Sequence, residues 1–197
     1  MKKENLSNVI LVTVLIFISI LGRLVTNYFE IYNFTALGAG ALFAGVMLKD
    51  KKYAYAVPLV SLLLSDLFFH FFTNIQGIYG GEMLFVYAGF MLVTFIGTRI
   101  RKVTAGRVFL GAVASGLIFF LMSNLGTFLF RDLYPHTFAG LLTCYWSAIP
   151  FYKQDLFGSF FLNTIMGNVF YSALLFGAYA VLKPVFVRKE SKETSIA

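Results

Sequence analysis

The sequence predicts an all-α integral membrane protein: six transmembrane helices, N-in and C-in, with a short re-entrant or interfacial helix in the outer loop between helices 5 and 6. Three observations predict it. Of 197 residues, 59% are apolar and only 13% charged, where a soluble domain carries about 25% charged residues. The apolar residues fall in long blocks separated by short charged punctuation, the pattern of serial bilayer spans. The 16 lysines and arginines then sort by side across that punctuation. This topology accounts for the net charge of +7, and with no basic patch on a soluble domain no nucleic-acid partner is expected. The lone Cys144 excludes an intramolecular disulfide and any Cys-x-x-Cys site, and no cofactor is expected.

A helix rises about 1.5 Å per residue and the hydrocarbon layer is about 30 Å thick, so a span needs about 20 mostly apolar residues. The first, Ser7 to Thr26, follows Met1-Lys2-Lys3 as a signal peptide would. No small-x-small cleavage site follows, so it reads as an uncleaved helix. The second, Phe34 to Leu48, is short and carries Gly38, Gly40 and Gly45, so it needs protein around it or a locally thin bilayer. Its small residues form two rows, Ala36, Gly40, Ala44 and Ala41, Gly45, suited either to internal packing or to docking of a partner such as an energising transporter module. The remaining spans are Tyr53 to Phe72, Met83 to Ile100, Val108 to Phe130 and Leu156 to Leu182. Phe138 to Ser147, between Pro135 and Pro150, is apolar but too short to span and reads as the re-entrant or interfacial helix. Residues 1–188 form a single six-helix transmembrane domain on this reading, and 189–197 a disordered cytoplasmic tail.

These spans place Lys2, Lys3, Lys49, Lys51, Lys52, Arg99, Arg101, Lys102, Arg107, Lys183, Arg188, Lys189 and Lys192 on one side and only Arg23, Arg131 and Lys153 on the other. The positive-inside rule makes the first side cytoplasmic, hence both termini too. The outer face receives the longer loops, Thr73 to Glu82 and Arg131 to Asp155, and long loops are disproportionately functional.

Counting along the spans brings polar groups to one depth: Arg23 near the outer end of helix 1, Asp66 about 20 Å along helix 3, Asn124 about 24 Å along helix 5 and Asn163 about 10 Å below the outer end of helix 6. An ionisable side chain within a span costs about 2.5 to 3.5 kcal/mol and faces the bundle interior or a wet cavity. Asp66 therefore points inward with Arg23 as its partner, and His70, four residues on, shares its helical face. The pair serves either a ligand or the locking of helix 1 to helix 3. Asn124 and Asn163 serve either a ligand or interhelical adhesion. Asn33, Tyr134, His136, Tyr145 and Trp146 complete a candidate outward-facing site, although Tyr and Trp also collect at membrane interfaces. His136 and Cys144 are possible soft or borderline metal ligands.

The strings Asn33-Phe34-Thr35, Ala41-Leu42-Phe43-Ala44-Gly45, Val57-Pro58-Leu59 with Ser65-Asp66, Val86-Tyr87, Ser123-Asn124-Leu125-Gly126, Tyr134-Pro135-His136-Thr137 with Gly140-Leu141, and Ile149-Pro150-Phe151 resemble a family of small bacterial membrane proteins. That family looks like the substrate-binding S-components of energy-coupling-factor vitamin transporters, and its nearest understood relatives are the solitary cobalamin-transport proteins. The resemblance covers about Asn33 to Phe170. It implies a six-helix bundle in the bacterial cytoplasmic membrane that binds a vitamin from the outer side, with outer loops closing over it. A corrinoid fits the large loops and would bring its own cobalt to His70, His136 or Cys144. S-components typically dock on an energising module through an alanine-x-x-x-alanine row in helix 1, which Val9 to Gly22 lacks, so the resemblance favours solitary action or docking through Ala36, Gly40 and Ala44 of helix 2.

The leading expectation is thus a solute-binding transport protein, with cobalamin or another corrinoid foremost. A membrane scaffold is the alternative. An intramembrane enzyme is disfavoured, because the chain has no His-Glu-x-x-His, no paired Asp motif and no Gly-x-Ser-x-Gly elbow.

Overall fold

The structure, a computed structural model, describes residues 2–150, 155 and 157–194. Lys153, counted above on the outer side, and residues 195–197 of the expected tail lie outside them. Among the described residues the chain forms seven α-helices: α1 (Lys2–Tyr28), α2 (Leu37–Met47), α3 (Lys51–Phe72), α4 (Glu82–Arg99), α5 (Ala105–Phe130), α6 (Phe138–Ser147) and α7 (Phe160–Thr194). Side-chain caps start three of them. Asp50 accepts from the Lys52 amide at 2.9 Å, Thr137 from Gly140 at 3.1 Å and Thr104 from Arg107 at 3.4 Å, each satisfying a donor that a helix start leaves open.

Five helical stretches are long and apolar enough to cross a membrane: Val9–Tyr28, Lys51–Phe72, Glu82–Arg99, Ala105–Phe130 and Phe160–Leu182. α6 has the bounds expected for the short outer helix. α7 continues to Thr194, past Lys189 where the polar tail was expected to begin. The stretch expected as a second span resolves into 11 helical residues, about 16 Å of rise, preceded by an irregular segment, 29–36. Helix does not start at Phe34 because Asn33 holds a positive φ of 66° and breaks the backbone just before it.

The membrane character is visible in where side chains go. Exposed positions along α1 are Val9, Ile10, Val14, Phe17, Leu21 and Val25, whereas Ser19, Ser61, Ser65, Thr94, Ser115 and Ser172 are buried. An apolar surface with hydroxyls turned inward suits a hydrocarbon solvent. Most of those buried hydroxyls are satisfied locally, each donating to the carbonyl four residues back: Ser61 to Val57 at 2.6 Å, Ser65 to Ser61 at 2.7 Å, Thr94 to Phe90 at 3.0 Å, Ser115 to Gly111 at 2.7 Å.

α2 is the hub. Residues 37–45 are all buried, and α1, α3, α4, α5 and α7 all pack against the helix. Its Gly45 meets Gly97 of α4 backbone to backbone: a β-carbon on either would collide with the other helix's main chain. Ala36 and Ala44 are fully covered and Gly40 is buried, so the small-residue rows of this helix serve internal packing. The protein's own helices cover the surface of Ala36, Gly40 and Ala44, the row offered above for an energising module.

Candidate functional site

The breakdown of helix before α2 leaves a gap inside the bundle, and polar side chains from several helices turn into it. Arg23 of α1 reaches α3 with a single nitrogen: Nη1 donates to Asp66 Oδ1 and to Ser65 Oγ, both at 2.5 Å. Tyr87 of α4 donates its hydroxyl to Asp66 Oδ2 at 3.0 Å. Both oxygens of this carboxylate, 3% exposed, are therefore engaged, which is what a charge in a low-dielectric interior requires. The guanidinium carbon also sits 5.2 Å from the centre of the Phe69 ring, a cation–π distance.

Arg23 then forms one wall of a cavity of about 120 Å³, room for about four waters at about 30 Å³ each. The other walls are Asn33, Thr35 and the first residues of α2 (Leu37, Gly38), Leu62, Tyr79, Val86, Phe90, Phe119, Thr164 and Asn168. A second chamber of about 130 Å³ shares Asn33, Phe119 and Thr164 with the first and adds Phe120, Ser123, Asn124, Ala148 and Phe160. Asn168 is 4% exposed and makes no hydrogen bond to the described residues, so its amide faces the cavity unpartnered. A β-carbon at Gly38 would strike that amide, so glycine there is what lets Asn168 reach across.

The loop between α3 and α4 lies against this site. Gly77 lies directly on the α3 main chain between Asp66 and His70, where a β-carbon would collide with the Asp66 carbonyl. This brings Tyr79 into the cavity wall. Burial, and secondarily the Asp66 charge, raises the Tyr79 phenol above its ordinary 10. Arg131 donates from Nε to buried Glu82 at 2.6 Å and ties the end of α5 to the start of α4 beside the loop.

Of the site residues expected from sequence, Arg23, Asn33 and Asn124 line the chambers, and Asp66 supports them from behind. Asn163 is fully buried and acts as a strut. Its Nδ2 donates to the Tyr32 carbonyl at 2.8 Å and to the Phe157 carbonyl at 2.6 Å, holding segment 29–36 to the start of α7. The other residues stand apart. His70 is exposed and edge-on to Phe71, because four residues turn a helix about 40° past a full circle and the Gly77 loop fills the intervening face. His136 is exposed against Phe128, Tyr134 is half-buried outside both chambers, and Trp146 is 76% exposed. Tyr145 donates to the Leu121 carbonyl at 2.9 Å. Cys144 is buried against the Asn124 carbonyl, and burial pushes its thiol up, away from the thiolate that binds metals. Neither histidine nor the cysteine lines a chamber. Asn168 and Thr164 were the cavity residues missing from the sequence reading. Their signal was an amide and a hydroxyl within an apolar span, the same signal that singled out Asn163.

Residues 3–191 match the model of a protein family described as a family of unknown function (DUF6580). No curated protein and no solved structure matches the chain.

Proposed function

The chain belongs to this family of unknown function, and we propose that it is a multi-pass protein of the bacterial cytoplasmic membrane that binds a small vitamin-class solute from the outer side for uptake. The observation that carries this reading is the partly polar cavity, into which Arg23 and the unpartnered amide of Asn168 turn at the level where α2 begins. A half-length helix starting inside the bundle beside a polar cavity is how discontinuous helices frame solute sites in membrane transporters. No enzymatic chemistry is assigned to the site.

Six passes with both termini inside follow from parity. The basic residues before α1, between α2 and α3 and between α4 and α5 share one side only if segment 29–36 and α2 together complete a crossing. Lys51 supports this arrangement from the inner end, donating from Nζ to the Leu48 carbonyl at 2.8 Å and the Gly45 carbonyl at 3.2 Å.

Chambers of about 120 and 130 Å³ are small beside the roughly 300–1,000 Å³ of ordinary ligand pockets. Chambers of this size suit a small solute, and a corrinoid requires the outer segments to swing away. The test is to purify the protein from cells grown with cobalamin, record its visible spectrum and analyse the washed protein by native mass spectrometry. A stoichiometric corrinoid band identifies the larger solute. A colourless protein carrying a smaller retained molecule identifies the class favoured here. Neither outcome, together with no binding of added solutes, overturns the reading and leaves a membrane scaffold.

A further inference from the structure

Arginine carries five N–H donors in a fixed planar fork. In Arg23, Nη1 makes both contacts to α3, and Nε and Nη2 make none with the described residues. The spare edge is the one that grips a carboxylate through two parallel bonds, and it belongs to a side chain that is 20% exposed and lines the cavity. Among the described residues Arg23 is also the sole charged residue of the cavity wall; its counter-ion Asp66 stands behind it, with both oxygens already used.

Two further features favour an anion. α2 begins at this cavity with Ala36 in the cap position and no side-chain cap, so the open amides and positive end of the helix dipole face the same space. Asn168, nine-tenths buried and without a hydrogen-bond partner among the described residues, lines the same cavity from the opposite helix.

From this geometry we infer that the solute is a carboxylate, held by a bidentate contact to Arg23 Nε and Nη2, with Asn168 and the first turn of α2 as further donors. The inference rests on the solute-binding reading and narrows its substrate to a class. Val86, Phe90 and Phe119 supply an apolar wall for the body of the molecule, so a small aromatic or aliphatic acid fits better than a polyanion.

The test compares benzoate with its neutral near-isostere benzamide on the full chain in detergent, by thermal stabilisation and by the Nε–H resonance of Arg23 in ¹⁵N-arginine-labelled protein. The second readout needs no variant and so is independent of whether an Arg23 substitution folds. The expected result is benzoate binding at least about tenfold tighter than benzamide, with a saturable shift of the Arg23 signal. Asn168→Ala should weaken benzoate binding while the protein remains folded. Equal binding of the two probes, or binding that leaves the Arg23 signal unmoved, overturns the carboxylate class and leaves solute binding intact. No binding of either probe, with the Arg23 signal also unmoved by acetate, overturns the carboxylate inference; if the purified protein retains no solute either, the parent reading falls with it.

Discussion

Asp66 is worth most through what its loss leaves behind. Asp66→Asn keeps the shape but strands Arg23 in the bundle without its counter-charge. Breaking one partner of a buried pair costs about 3 to 5 kcal/mol, and the partial exposure of Arg23 should hold the loss near the lower figure. The expected outcome is a clearly lowered melting temperature and weakened solute binding, and restoration of most of the stability, but not of binding, in Arg23→Met with Asp66→Leu. An unchanged melting temperature in Asp66→Asn would show that the pair contributes little. At Tyr79 the sign is fixed by proton release: the folded chain keeps its phenol proton above the ordinary value of 10, while the unfolded chain loses it. Stability should therefore be unaffected by this group below pH 10 and fall as pH rises beyond it, with a shallower fall in Tyr79→Phe. The ion pair was legible because two charges in apolar spans at matching depth have few other places to go. His70 was misplaced because periodicity fixes a helical face only to within tens of degrees, and a loop contact decided which part of that face stays open.

Among the helices, close approach is set by glycines, and these separate into contrasting cases. Gly45→Ala should destabilise the fold by about 2 kcal/mol or more, since its β-carbon meets the backbone of α4. Gly177→Ala, whose β-carbon meets open space, should be neutral or stabilising by up to about 1 kcal/mol. Thermal unfolding of the two variants in one detergent checks both, and equal effects would refute the packing argument. The small-residue rows of α2 were visible in the sequence; that its own neighbours would cover them was not, because a row of small residues is equally suited to an internal and an external surface. The helix bounds of α6 were readable from its flanking prolines and short apolar run. The irregular segment 29–36 was hidden by its apolar composition, which continues the hydropathy of a span through a stretch that is not helical.

For the molecule as a whole, the proposed topology predicts labelling by an impermeant thiol reagent. In a Cys144→Ala background, cysteines at the exposed positions Gln76 and Asp132 should react from outside intact cells, and one at exposed Lys102 should react only after lysis. The opposite pattern would invert the protein and close the outward site to external solutes. Gly77 is avoided because any side chain there collides with α3. The all-helical membrane class was legible throughout, since bulk hydropathy and charge sorting report solvent directly. The cavity was only partly legible: Arg23, Asn33 and Asn124 stood out as polar groups in or beside apolar spans, while its volume depends on where two loops settle.

The shortness of α2 also bears on the order in which the protein is made. The helices α4, α5 and α7 that cover α2 are all synthesised after it. At about 16 Å the new helix has no stable place across the bilayer by itself, and its backbone groups beside segment 29–36 would face lipid. The ribosome therefore delivers the hub of the fold before four of the five helices that enclose it. A nascent chain stopped before α7 should leave α2 uncommitted at the membrane surface and open to quality-control proteases.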